Sequence, residues 1–77
     1  MNNSPVRTRI RSARLASGLS QQRLGEAIGT SGRAIRFWES AEGNEPLLRY
    51  IRLLGAALGV RPEWLAFGSG KRLAPRS

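Results

Sequence analysis

The chain has 77 residues and a net charge of +8, from thirteen basic residues against five glutamates. That length suits one small domain, and so positive a domain attracts polyanions, with nucleic acid the first candidate and an anionic membrane surface the second. It has no cysteine, histidine or aspartate, and no apolar run approaches ~18 residues, so we expect no metal, no cofactor, no enzymatic activity and no membrane span.

The first helix is predicted from Val6. Residues 1–5 are polar and are expected to be flexible. From Val6, apolar side chains recur at Ile10 and Ala13 among arginines, which is typical of an amphipathic helix. Gly18 is the expected terminating glycine.

A second, short helix is predicted over residues 21–28. Ser20 is a good N-cap, and Leu24 and Ile28 lie four residues apart on one face. Gly25 inside this helix costs about 1 kcal/mol against alanine. We interpret it as a point where another helix approaches closely.

The third helix is opened by Thr30 and Ser31 and runs to about residue 38 or 39. Only a glycine and one or two polar residues separate it from the second helix, so the two must cross steeply. Ile35 and Trp38 share one face and are expected to point inward. The other side is then cationic and aromatic, formed by Arg33, Arg36 and Phe37.

Two further helices and a tail complete the chain. Residues 40–46 have turn composition, and a fourth helix follows, closed by Gly59. A fifth short helix begins near Pro62 and ends at Gly68. No segment alternates with a period of two, so we expect no strand. The prediction is an all-α, compact five-helix domain over 6–68 with a flexible basic tail over 69–77.

The segment GLSQQRLGEAIGTSGRAIRFWE, residues 18–39, resembles the helix-turn-helix of the phage Cro/C1-repressor family, the lambda-repressor-like domains. The resemblance continues through PLLRYIRLLGAALGV and PEWLAFG and covers roughly residues 7–68. It implies that helices two and three form the helix-turn-helix, and that the third helix enters the major groove of DNA.

The resemblance also implies which residues face the bases. Arg33 is the expected bidentate reader of a guanine. Arg36 reads a base or holds a phosphate, and Phe37 meets a thymine methyl or packs into the core. Gly32 also takes a base-facing position; many relatives carry glutamine or serine there, so it departs from the pattern.

Phosphate contacts are expected at helix starts and from the first helix. Gln21 is carried over from the family as a phosphate clamp, and Ser20 and Ser31 either cap their helices or cap them and bind phosphate as well. The loop after the third helix carries Glu42 and Glu45, which would repel phosphates. The remaining expected phosphate contacts are Gln22, Asn44, Arg14 and Arg11. Arg7 and Arg9 on the first helix are expected to add electrostatic attraction for the DNA.

Two structural roles follow from the resemblance. Arg14 and Glu39 are expected to form a salt bridge that fixes the third helix against the first. Pro62, Leu65 and Trp64 are expected at a dimer interface, although Trp64 also fits a core position. We expect a weak homodimer that becomes firmer on DNA.

The expected function is a sequence-specific, double-stranded DNA-binding transcriptional regulator. A phage or prophage-type repressor that binds a near-palindromic operator fits the resemblance. We expect it to bind no membrane and no small-molecule ligand. Its expected location is the cytoplasm, where DNA binding associates it with the nucleoid. The alternative is an antitoxin-like module that binds a protein partner and autoregulates its operon.

Overall fold

The computed structural model describes residues 4–73. Residues 1–3 and 74–77, which belong to the two ends expected to be flexible, lie outside this range. Five helices follow the predicted order. Their bounds are α1 (Val6–Ala16), α2 (Gln21–Ala27), α3 (Gly32–Glu39), α4 (Leu48–Leu58) and α5 (Pro62–Phe67). In this part of the chain no helix is long and apolar enough to cross a membrane.

Two glycines end the last two helices. Gly59 has φ of 67° and Gly68 has φ of 72°, in the left-handed region that other residues avoid. Each donates its N–H back to a carbonyl of the last turn, to Gly55 for α4 and to Trp64 for α5. The predicted stops at both glycines are confirmed.

One hydrophobic core collects side chains from all five helices. The predicted inward faces are confirmed at Leu24, Ile28 and Ile35, which are buried, while Trp38 is half-buried against the same core. The largest fully buried side chains come one from each helix: Ile10, Leu24, Ile35, Leu54 and Leu65. Because every helix contributes to this core, the orientation of each one is fixed by the others.

Arg9 is buried, with 4% of its surface exposed, and does not join the exposed arginines of α1. Its Nε donates to the Leu65 carbonyl at 2.9 Å and its Nη2 to the Ala66 carbonyl at 3.0 Å, and Nη1 donates to the Ser4 carbonyl. Burial lowers the pKa of Arg9, and the charge of Glu45 acts in the opposite direction. The expectation that Arg9 attracts DNA was wrong, because its guanidinium is buried and donates its hydrogen bonds to carbonyls at the C-terminal end of α5.

The beginning of the predicted tail lies against the turn between α4 and α5. Leu73 forms an isolated antiparallel bridge with Val60, a pairing that the sequence did not predict. The Arg61 N–H donates to the Arg72 carbonyl at 2.9 Å, and its Nε donates to the Leu73 carbonyl at 3.1 Å. The Arg72 guanidinium lies over the ring of Trp64, 4.9 Å from its centroid. The flexibility of 69–77 stays a prediction.

Replacing the Arg9 guanidinium with an apolar side chain of similar length should destabilise the fold. Arg9→Met leaves the Leu65 and Ala66 carbonyls without their donors, so we expect the free energy of unfolding to fall by about 3 kcal/mol in a urea titration. Arg7→Met is the matched control on the same helix, because Arg7 is exposed, and should change stability by less than ~0.5 kcal/mol. Equal stability of the two variants would contradict the role of Arg9.

Candidate nucleic-acid interface

The contact between α2 and α3 is made through Gly25. A Cβ atom on Gly25 would lie 2.4 Å from the Ser31 carbonyl carbon and 2.5 Å from its oxygen, both backbone atoms. The Thr30 N–H donates to the Gly25 carbonyl at 2.8 Å. The prediction that this glycine permits close approach of a second helix is confirmed, since any side chain would push the start of α3 away.

Both short helices begin at a serine cap. The Ser20 hydroxyl accepts a hydrogen bond from the Arg23 N–H at 3.0 Å, and the Ser31 hydroxyl accepts one from the Ala34 N–H at 3.1 Å. The predicted capping role of Ser20 and Ser31 is therefore confirmed. Phosphate binding by either serine stays a prediction.

The face of α3 opposite its buried stripe is open to solvent. Ile35 is fully buried, and Trp38 packs beside Tyr50 of α4 with ring centroids 5.1 Å apart. Arg33 and Arg36 are exposed, and 47% of the surface of Phe37 is exposed. Of the two positions considered for Phe37, the structure shows the exposed one.

Three adjoining hollows lie along this exposed face. The first, of about 470 Å³, is formed between α1, α2 and the end of α3. The second, of about 540 Å³, lies where α2 meets the start of α3, and the third, of about 320 Å³, lies beside Phe37. Arg36 lines all three, so they form one continuous surface, which we call the α3 surface.

Most of the predicted site residues lie on the α3 surface. The residues that line it are Arg11, Arg14, Ser20, Gln21, Gln22, Gly32, Arg33, Arg36, Phe37, Glu39 and Ser40. Four of these are arginines, and the one carboxylate among them, Glu39, is neutralised by an ion pair. The surface therefore presents a net positive charge with one aromatic side chain at its edge, which suits a polyanion that also offers apolar groups.

Gly32 has a structural reason to be glycine. A Cβ atom at this position would lie 2.9 Å from Cα of Gln22 and 3.0 Å from its Oε1. The departure from glutamine or serine at this position thus lets the start of α3 lie directly against α2. The Gln22 side chain itself is turned along its helix, where its amide donates to Glu26 at 3.2 Å.

The predicted salt bridge between α1 and α3 is present. Arg14 Nε donates to Glu39 Oε2 at 2.7 Å, and Nη2 donates to Oε1 at 3.0 Å, a two-point contact. Its remaining Nη1 donates to the Leu19 carbonyl at 2.9 Å. The hydrogen bond to Glu39 raises the pKa of Arg14, and partial burial works against that rise. The pair fixes the end of α3 against α1.

Gln21 joins the same network, which the sequence did not predict. Its side-chain amide donates to Glu39 Oε1 at 3.2 Å. One donor of the expected phosphate clamp is thus already used, and the bond holds the amide at the rim of the first hollow. Binding of a phosphate there stays a prediction.

Asn44 lies away from the α3 surface. It lines a separate small cavity of about 130 Å³, together with Arg7, Trp38 and Glu45. The loop that carries it is held next to the first turn of α1. The structure therefore does not bring Asn44 together with the other predicted phosphate-binding residues.

The predicted dimer interface needs correction. Leu65 is fully buried and Trp64 is 6% exposed, because α5 is so short that both side chains are needed in the core. Pro62 is partly exposed and lies against Gly55 of α4, where a Cβ atom would be 3.2 Å from Pro62 Cγ. Of the three residues, only Pro62 has surface that a second subunit could contact.

Ser40 is a part of the site that was not predicted. Its hydroxyl donates to the Phe37 carbonyl at 2.9 Å and ends α3 between two of the hollows. Gly43 permits this ending, since a Cβ atom on it would collide with the Phe37 carbonyl oxygen. The available signal in the sequence was a serine directly after Glu39, followed three residues later by Gly43.

Within residues 4–73 no cluster of three potential metal ligands is present.

Comparisons with known proteins identify a family and a similar solved structure. The model of a helix-turn-helix family matches residues 10–65, a range that contains α2 and α3 entirely. The chain is also similar to the P22 c2 repressor protein, whose crystal structure was solved in complex with synthetic operator 9T in the presence of Tl⁺. That match has a TM-score of 0.79 and 33% sequence identity, and it covers 87% of this chain and 100% of the repressor chain.

Alanine at position 25 should destabilise the domain even though alanine favours helices. Its Cβ would displace the Ser31 backbone, so we expect Gly25→Ala to lower the free energy of unfolding by about 2 kcal/mol. Helix propensity alone predicts the opposite sign, a gain of about 1 kcal/mol. Ala27→Gly, on the exposed side of α2, is the matched control and should show only that propensity cost. A Gly25→Ala protein that melts at a higher temperature than the parent would refute the close contact.

Proposed function

The chain belongs to the helix-turn-helix family of Cro/C1 type, and from that membership we propose that it is a sequence-specific, double-stranded DNA-binding transcriptional regulator, a repressor of phage or prophage type. The observation that carries the proposal is the α3 surface, on which Arg33 and Arg36 are exposed opposite the buried Ile35. The P22 c2 repressor, to which this chain is similar, was crystallised in complex with a synthetic operator.

Base reading is assigned to the outer side of α3. The major groove is about 12 Å wide and admits one helix, and α3 offers it guanidinium groups and one aromatic ring. We assign Arg33 to a guanine, through paired hydrogen bonds to O6 and N7, and Phe37 to a thymine methyl. Arg36, which lines all three hollows, reaches a base on one side and a phosphate on the other. Gly32 lets the backbone approach the base edges.

Phosphate binding is assigned to the first and second hollows. Arg11 is exposed beside the start of α2, where free N–H groups favour an anion. Gln21 and Ser20 lie at the same helix start, and the Glu39 contact holds the Gln21 amide in place. Arg14 is paired with Glu39, so its contribution there is to orient α3 and not to donate to a phosphate.

A dimer on a near-palindromic operator follows from the same proposal. Proteins of this architecture read two half-sites about one helical turn apart, about 34–36 Å, so the spacing of the half-sites places the two copies. With Trp64 and Leu65 in the core, Pro62 and the turn around it remain as the contact between copies. So small a contact fits a homodimer that associates weakly alone and more strongly on DNA. The protein then acts in the cytoplasm, where the operator lies.

Selection of binding sites from random DNA, followed by gel shifts across a salt series, tests the proposal. We expect one preferred site with recognisable two-fold symmetry, and an affinity that falls steeply as salt rises. Arg33→Ala should cost about 1–3 kcal/mol per half-site and relax the preference at one base pair of each half-site. Arg11→Ala should weaken all sequences alike and reduce the salt slope by about 1 per subunit.

Arg23→Ala is the matched control, because Arg23 is exposed on α2 and does not line the α3 surface. It should leave sequence preference unchanged. Equal, weak binding to every DNA would reject the proposal and favour the antitoxin-like alternative. Identical behaviour of the Arg33 and Arg11 variants would reject the assignment of their roles.

A further inference from the structure

The outer side of α4 carries leucines that the core does not use. Leu48 and Leu53 are 62% and 44% exposed, and with Arg49 and Arg52 they line an open groove of about 480 Å³, which we call the α4 groove. Leu47, just before the helix, is also exposed. The core side of the helix is formed by Ile51, Leu54, Gly55 and Leu58. These leucines therefore face away from the domain.

The proposed DNA-binding role does not account for the α4 groove. The three hollows of the α3 surface are lined by Ser20, Ser40 and residues of α1, α2 and α3, and none by a residue of α4. A groove lined by two leucines also suits a phosphate backbone poorly, since phosphates gain nothing from apolar contacts. The groove is left for a ligand with apolar side chains.

The charges that line the α4 groove determine which charged groups its ligand should carry. Among residues 4–73, the charged side chains that line it are those of Arg49 and Arg52, so an occupant meets two cations and no carboxylate in the groove. The Arg49 guanidinium lies 5.0 Å from the centroid of the Tyr50 ring, which holds one of these charges in place. Leucines flanked by arginines are complementary to a helix that has apolar residues on one side and carboxylates beside them.

A second copy of the chain is a poor occupant. Pairing of two α4 grooves about a two-fold axis would bring four arginines together. None of the five glutamates of the chain lines the groove, and two of them are already paired with arginines, Glu39 with Arg14 and Glu63 with Arg61. A groove-to-groove pairing would therefore set the two arginines of one copy against those of the other with no carboxylate between them.

We propose that the α4 groove is a docking surface for an acidic amphipathic helix of another protein. The apolar side of that helix lies on Leu48 and Leu53, and its carboxylates pair with Arg49 and Arg52. The α4 groove shares no lining residue with the α3 surface, so the partner does not compete for the residues assigned to DNA.

The test uses the full 77-residue chain and a short synthetic helix with leucines at i, i+3, i+4 and i+7 and glutamates beside them. In amide NMR spectra of the labelled protein, we expect the peptide to shift the signals of residues 47–53 and to leave those of α3 unchanged. Reversing the groove charges with Arg49→Glu and Arg52→Glu should weaken binding by roughly tenfold or more. Leu48→Ser with Leu53→Ser should weaken it similarly while operator affinity stays unchanged.

Reversal of two other exposed arginines, Arg7→Glu with Arg23→Glu, is the matched control and should retain most of the affinity. If both charge-reversed pairs lose affinity equally, the peptide is attracted by net charge alone and the proposal fails. It also fails if the groove variants abolish self-association in sedimentation, if they reduce operator affinity, or if they release the protein from anionic phosphatidylglycerol vesicles. Those results would assign the groove to a second copy, to DNA or to a membrane surface. Thermal melts confirm that each variant is folded.

Discussion

The backbone contact between Gly25 and Ser31 is the constraint on which the rest of the structure depends. It places α3 across α2 at a distance that no side chain at position 25 would allow. In that position Ile35 enters the core and Trp38 packs at its edge, beside Tyr50. Because a helix has only one inward side, the guanidinium groups of Arg33 and Arg36 must then face outward. The cationic surface is a consequence of apolar packing.

The arginines of this chain serve two different purposes. Arg9 and Arg14 are buried or nearly so, and each is bonded at several points, Arg9 to carbonyls of α5 and Arg14 to Glu39 and the Leu19 carbonyl. They tie α1 to α5 and to α3. Buried cations of this kind contribute orientation, since their desolvation offsets much of what their bonds contribute. The exposed arginines, by contrast, are free to neutralise an external anion.

Much of the fold could be predicted because its signals are local. Apolar spacing and the glycines at Gly18, Gly59 and Gly68 gave the helix order and nearly all the helix ends. The role of Gly25 followed from the cost of a glycine inside a helix. The Arg14–Glu39 pair and the positions on α3 came from resemblance to a family, and the structure brings them together on one surface.

What could not be predicted depends on contacts distant in the sequence. Arg9 shares a helix side with Val6 and Ala13, but its charge argued for exposure, and only the carbonyls of α5, 56 and 57 residues away, reverse that argument. Leu65 was expected at a dimer interface, and only the three-dimensional packing of the five helices shows that the core takes it. The loop that carries Asn44 has no periodicity, so its course beside α1 left no pattern in the sequence.

The most direct test of the central claim is methylation interference on the selected operator. Dimethyl sulphate methylates guanine N7 in the major groove and adenine N3 in the minor groove. If burial of Ile35 and Trp38 drives the arginines of α3 into the major groove, methylation of a guanine N7 in each half-site should block binding. Interference confined to adenine N3, with every guanine N7 tolerated, would contradict the account.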